Sequence, residues 1–314
     1  MTLKNVCLVG ANGTLGSVVL QALLATNNFQ VSVLRRANSS SSTSSSIPKG
    51  VKAISVDPDF AIPNLTSALR GQDAVIASFP LPNRLQYHLR LAYAAASAGV
   101  RRFIPADFGS CDAASPDALR RLQLYRDKIK VRERCVELTR EFPDSFTWTG
   151  IVCGHFFDTG LTDGMLHVDI GERSAKILDG GNVKVSASTL GRVAEAVVRI
   201  LEREEATANR TLFMQSFNPT QREVLAALEK ATGGSSWKVD ERESASFLDE
   251  LQKKLVDGDG EYQVIKDIVF ALGTIDADWS KKEGFAMDLL GLEDEDLDEV
   301  VSRVVKEHAS GKTA

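Results

Sequence analysis

The chain has 314 residues, 43% of them apolar and 25% charged, and 42 Asp and Glu against 37 Lys and Arg leave a formal charge of −5. This is globular composition with length for one large or two modest domains, so disorder and collagen are excluded. An acidic balance with no basic tract argues against a nucleic-acid partner.

No apolar stretch approaches the roughly 18 residues that span a bilayer. No hydrophobic signal core follows Met1-Thr2-Leu3-Lys4-Asn5, so a cytoplasmic protein is expected. Neither Cys7, Cys111, Cys135 and Cys153 nor His88, His155, His167 and His308 have zinc spacing, so no metal is expected. No internal repeat is present.

In chain order, short apolar runs fall at residues 6–9, 31–34, 51–56, 74–78, 102–105 and 147–152. Helical patterns lie between them, at 15–25 and at 86–98, the latter closing on Gly99. Such alternation predicts βαβ units and a doubly wound parallel α/β sheet of the Rossmann type. The serine run from Asn38 to Ser46 reads as a flexible loop between the second and third strands. Residues 117–141 read as one charged helix.

After residue 153 the alternation fades and glycine turns multiply. A helix at 189–201, a strand at 211–215 and a helix at 220–232 are predicted, the last opened by a capping box of Thr220 and Glu223. The final helix is acidic at its start and places Leu297, Val300, Val301, Val304 and Val305 on one face. The expected organisation is a dinucleotide-binding domain over 1–153, to which 183–216 return. A smaller mixed α/β substrate-binding part would take up 154–182 and 217–314.

The sharpest local signal is Gly10-Ala-Asn12-Gly13-Thr14-Leu15-Gly16, directly after the first strand and opening the first helix. Glycines there let backbone approach a pyrophosphate, and the free amides of the helix start donate to it. At the end of the second strand a carboxylate would accept a ribose 2′-hydroxyl, but the chain reads Leu34-Arg35-Arg36. Arginine there fits a 2′-phosphate, so NADP(H) is the expected cofactor.

For proton transfer, Tyr262-x-x-x-Lys266 has the Tyr/Lys spacing of many dehydrogenases but lies beyond every recognisable sheet unit and reads as coincidence. Lys128 follows the fifth strand and its turn, on the side of the sheet where ligands bind. On charge pattern alone it is one cation of a solvated helix, beside Arg126, Asp127, Lys130, Arg132 and Glu133.

The glycine loop, Leu34-Arg35-Arg36, Gly71-Gln-Asp-Ala-Val75, Ala98-Gly-Val-Arg-Arg-Phe-Ile-Pro-Ala-Asp-Phe-Gly109, Lys128-x-Lys-Val-Arg132 and Asn218-Pro-Thr-Gln-Arg-Glu-Val224 together resemble the isoflavone reductase-like, or NmrA-like, branch of atypical short-chain dehydrogenases. The closing Asp278-Trp-Ser-Lys-Lys-Glu-Gly-Phe285 and Leu289-Leu-Gly-Leu292 look more like fungal members than plant ones.

The resemblance implies an NADPH-dependent reductase of a small phenolic or aromatic secondary metabolite, acting on a carbonyl, an enone or a benzylic ether or quinone-methide. It implies Lys128 as general acid or base, Arg35 and Arg36 toward the 2′-phosphate, and Ser78, Phe79, Pro105, Ala106, Asp107, Phe108 and Phe156 on the cofactor. Tyr125, His155 and Phe157 are candidate substrate residues. Lys128 and Lys130 point to different faces at about 100° per residue, and the choice between them stays open. So does the oligomeric state, monomer or homodimer. The rival function is a non-catalytic NADP(H)-sensing regulator that binds a protein partner.

Overall fold

The computed structural model describes residues 2–37, 47–234, 236–258 and 260–311. The serine run at 38–46 lies outside them. The first half contains β1 (Asn5–Val9), α1 (Thr14–Ala25), β2 (Gln30–Arg36), β3 (Lys52–Val56), α2 (Ile62–Leu69), β4 (Ala74–Ala77), α3 (Leu85–Ser97), β5 (Arg102–Ile104), α4 (Pro116–Arg121), α5 (Gln123–Glu141) and β6 (Thr147–Val152). There follow β7 (His155–Phe156), α6 (Phe157–Thr162), β8 (Val168–Asp169), β9 (Ser174–Leu178), β10 (Ala187–Ser188), α7 (Leu190–Glu202), β11 (Arg210–Phe213), α8 (Gln221–Ala231), β12 (Lys238–Arg242), α9 (Ser244–Asp257), α10 (Glu261–Ile275), α11 (Met287–Leu290) and α12 (Leu297–Ala309).

Seven strands form one sheet in the order β11-β6-β5-β4-β1-β2-β3, and the pairings from β6 through β5, β4, β1 and β2 to β3 are parallel. The α/β Rossmann-type sheet expected from the alternation is therefore present. Strands buried on both faces need apolar residues at consecutive positions, as Val6 to Val9 and Ala74 to Ala77 supply. On one face Cys7, Val9, Val75 and Ala77 meet Leu65 and Leu69 of α2, Leu91 of α3, and Val131, Cys135 and Leu138 of α5 in one buried cluster. Strand order reverses between β4 and β1, the switch point beside whose carboxyl ends open sheets bind ligands.

Contacts divide the chain into two compact units: Met1–Asp107, Leu124–Ile151 and Ala194–Leu212 form the first, and Phe108–Gln123, Val152–Val193 and Phe213–Ala314 the second. The second has a small mixed sheet in which β9 pairs parallel with β12 and antiparallel with β8, and its own core of Phe157, Leu161, Ile177, Leu228, Trp237, Val301 and Val304. The capping box opens α8, with Thr220 Oγ accepting from the Glu223 amide and the Glu223 carboxylate from the Thr220 amide.

The helix expected over 117–141 is two. Leu122 stands between α4 and α5 in an extended conformation (φ −127°, ψ 133°) and is almost fully buried. Continuous helical spacing would have dictated its direction; the break frees Leu122 to enter the core, just before the chain passes from the second unit to the first.

Candidate functional site

The glycine loop sits at the switch point. Gly10 follows β1 with φ +94°, a left-handed value that L side chains rarely adopt, and a Cβ there would lie 2.7 Å from the Ser78 carbonyl oxygen at the end of β4. At Gly16, in the first turn of α1, a Cβ would collide with the Gly10 carbonyl oxygen. The helix thus packs closely on the loop. Gly13 is its N-cap and supplies no side-chain hydrogen bond, so the amide donors of Thr14, Leu15 and Gly16 are not capped by it. Loop and helix start form a cradle of backbone donors without obstructing side chains, which fits a dinucleotide pyrophosphate. Asn12 and Thr14 are exposed at its rim, and Leu15 is buried beneath it.

Ser78 locks the adjacent strand end: its amide and its hydroxyl both donate to the Val9 carbonyl, at 2.8 and 3.0 Å. Phe79 next to it stacks on the His88 ring at 3.8 Å. At the end of β2, Leu34 is buried while Arg35 and Arg36 are exposed, so both guanidinium groups are available to a phosphate.

The turn after β5 brings Pro105, Ala106 and Asp107 against α5 of the same unit. That helix buries Tyr125, Lys128, Val131, Cys135 and Leu138, a stripe at steps of three and four residues. Lys128 lies within the stripe, with a side chain only 9% exposed, whereas Lys130 is 52% exposed and pairs with Asp127 at 3.5 Å. The Lys128 ammonium donates to the Asp107 main-chain carbonyl, stands 3.9 Å from Asp107 Oδ1 and lies 5.7 Å from the centre of the Tyr125 ring. Arg132, one turn on, donates from Nε to Asp107 Oδ2 at 2.5 Å. Leu81, His88, Pro105, Ala106, Asp107, Lys128, Val131 and Arg132 line one narrow cavity. The sequence pattern gives Arg132 and His88 no part, although Arg132 ends the Lys-x-Lys-Val-Arg motif.

In the second unit, Phe108 has φ +35°, a strained value for an aromatic residue. Phe156 pairs in β7 with Ser188 of β10 and is half-buried. His155 and Phe157 line an apolar cavity of about 60 Å³ together with Leu166, Ile177, Val224, Leu228 and Phe270. Burial lowers the His155 pKa to about 4, so the ring is neutral near pH 7, and its Nε2 lies 3.3 Å from the Phe270 carbonyl oxygen. That makes it a polar anchor in an apolar wall rather than a ready proton donor. Tyr262 is 78% exposed on α10, in keeping with a coincidental Tyr/Lys spacing.

A glycine loop at the switch point of a parallel sheet defines the class: an α/β protein with a dinucleotide-type cradle. The NmrA-like family model matches residues 2–249, and the chain belongs to that family. It is 32% identical to the oxidoreductase aprR of Aspergillus flavus over 98% of this chain and 100% of that protein. Its fold is shared by a structure of AtPrR2 with NADP+ and (+)pinoresinol (TM-score 0.74, 20% identity, 97% of this chain and 99% of that one). It is shared also by the leucoanthocyanidin reductase–NADPH complex of Vitis vinifera (TM-score 0.74, 18% identity, 96% and 99%).

Proposed function

We propose that the chain is an NADPH-dependent oxidoreductase that reduces a small phenolic or aromatic metabolite, with Lys128 as its general acid. One observation carries this reading: the first unit holds both a dinucleotide cradle and a buried ammonium fixed at the end of β5. A charge buried this deeply is costly unless a function or a partner retains it. Support comes also from the oxidoreductase relative and from structural neighbours whose bound molecules are NADP+ with (+)pinoresinol, or NADPH.

In the first unit, Gly10, Asn12, Gly13, Thr14, Leu15 and Gly16 hold the pyrophosphate, Arg35 and Arg36 the 2′-phosphate, and Ser78, Phe79, Pro105, Ala106 and Asp107 line the nicotinamide side. In the second, Phe108 and Phe156 are assigned to the nicotinamide, and His155 and Phe157 to the substrate, as is Tyr125 beside Lys128. The cofactor, when bound, supplies a hydride for an electrophilic carbon, whether of a carbonyl, an enone or a benzylic ether or quinone-methide. Lys128 would give its proton to the oxygen that takes up the electron pair, whether the carbonyl or conjugated oxygen or the phenoxide released as a benzylic C–O bond breaks, and the Asp107 carbonyl keeps the ammonium in place.

Fluorescence titration tests the cofactor assignment. NADPH binds at least tenfold more tightly than NADH, and Arg35→Ala removes most of that preference, since a bidentate phosphate contact is worth on the order of 1.5 to 3 kcal/mol. Equal affinities in the parent protein refute the assignment.

A further inference from the structure

The proton-transfer reading gives no part to the Asp107 carboxylate or to Arg132, yet Arg132 holds the residue that holds Lys128. Lys128 and Arg132 are four residues apart on one face of α5, and they grip the two ends of the same residue. The lysine takes the Asp107 main-chain carbonyl; the arginine takes one carboxylate oxygen, Oδ2. The other, Oδ1, is buried, makes no hydrogen bond and stands 3.9 Å from the lysine nitrogen. Side-chain exposure is 2% for Asp107 and 12% for Arg132, so solvent screens these charges little.

Two titratable groups on the elements packed here, His88 and Cys135, are neutral near pH 7. His88 of α3 lines the same cavity, and burial lowers its pKa to about 4. Cys135, two turns on along α5, is a buried thiol pushed up by desolvation. Tyr125 presents its ring, and Asp127 is engaged by Lys130. Lys128, Arg132 and Asp107 thus form a cluster of two cations and one carboxylate.

We propose that Asp107 and Arg132 are a positioning pair for Lys128. Arg132 holds the carboxylate by Oδ2, so that Oδ1 stays 3.9 Å from the lysine nitrogen, an ion pair too long for a hydrogen bond, and the Asp107 carbonyl sets the direction of the ammonium. An ammonium that donates to a neutral carbonyl and stands off its carboxylate, with a guanidinium nearby, releases its proton more readily than one hydrogen-bonded to a carboxylate. This inference deepens the proton-donor reading and rests on it.

Its test needs neither cofactor turnover nor a substrate. Trace labelling with acetic anhydride across pH, followed by mass spectrometry of the peptide carrying Lys128, gives the titration midpoint of that amine in the intact chain. In Asp107→Asn the ammonium loses the Asp107 charge while Arg132 remains, so the midpoint falls by about one pH unit or more. In Arg132→Gln the carboxylate is freed toward Lys128, and the midpoint rises. Arg132→Lys keeps the charge and is expected to stay nearer the parent value, which holds the test open should Arg132→Gln fail to fold.

Opposite displacements in Asp107→Asn and in the arginine series support the pair. Midpoints that do not move, or that drift together toward an ordinary lysine, overturn it. Turnover by Lys128→Ala tests the proton-donor reading separately, because the labelling result does not depend on whether Lys128 acts in catalysis.

Discussion

At the scale of the residue, helical spacing separates Lys128 from Lys130. Tyr125, Val131, Cys135 and Leu138 mark the core stripe of α5, and 128 completes it while 130 falls off it. That signal was legible in the sequence: charge count hid it, since the helix reads as solvated when its cations are summed, and periodicity uncovers it. What no sequence pattern shows is the grip of Arg132 on Asp107, because the two are 25 residues apart and meet only when α5 packs against the turn after β5.

His88 and His155 make a different prediction at this scale. Burial lowers both from 6.5 to about 4, so below pH 6.5 the unfolded chain takes up protons that the folded chain refuses. Their contribution to stability is complete above about pH 6.5 and is lost progressively as the pH falls toward 4. For each ring the full loss is roughly 3 kcal/mol. Urea midpoints measured from pH 7.5 to 4.5 should fall, and His155→Gln should flatten part of that slope; an unchanged slope contradicts the buried neutral ring.

At the scale of the element, strands and caps were legible where local chemistry decides them. The runs at 6–9, 74–78 and 147–152 became β1, β4 and β6 because central parallel strands need uninterrupted apolar side chains. Thr220 and Glu223 announced the start of α8, and the structure has both bonds of the box. Thr220→Ala is expected to cost about 1 kcal/mol in thermal or urea unfolding and to leave NADPH affinity unchanged; a loss of affinity with no loss of stability contradicts a purely capping role. The break at Leu122 and the two-residue strands β7, β8 and β10 were not legible. Leu122 departs from the helix to be buried, and two residues are too few to show a period.

At the scale of the whole molecule, the net charge of −5 says little, and placement says more. Two exposed arginines at the end of β2, an uncapped helix start at the switch point and a buried ammonium at the end of β5 carry the functional reading. Each unit has its own buried core, and nothing in the local sequence of 108–123 marks which of them that segment joins. No helix among the described residues is long and apolar enough to cross a membrane.

The central claim is that Lys128 donates the proton in an NADPH-dependent reduction, and its most direct measurement is loss of nicotinamide absorbance with a panel of aromatic ketones, enones and isoflavonoids, for the parent chain and Lys128→Ala, with NADPH affinity titrated alongside. The account predicts that Lys128→Ala binds NADPH within about threefold of the parent while turnover falls by about 100-fold or more, the usual scale of a lost general acid; undiminished turnover in Lys128→Ala contradicts it.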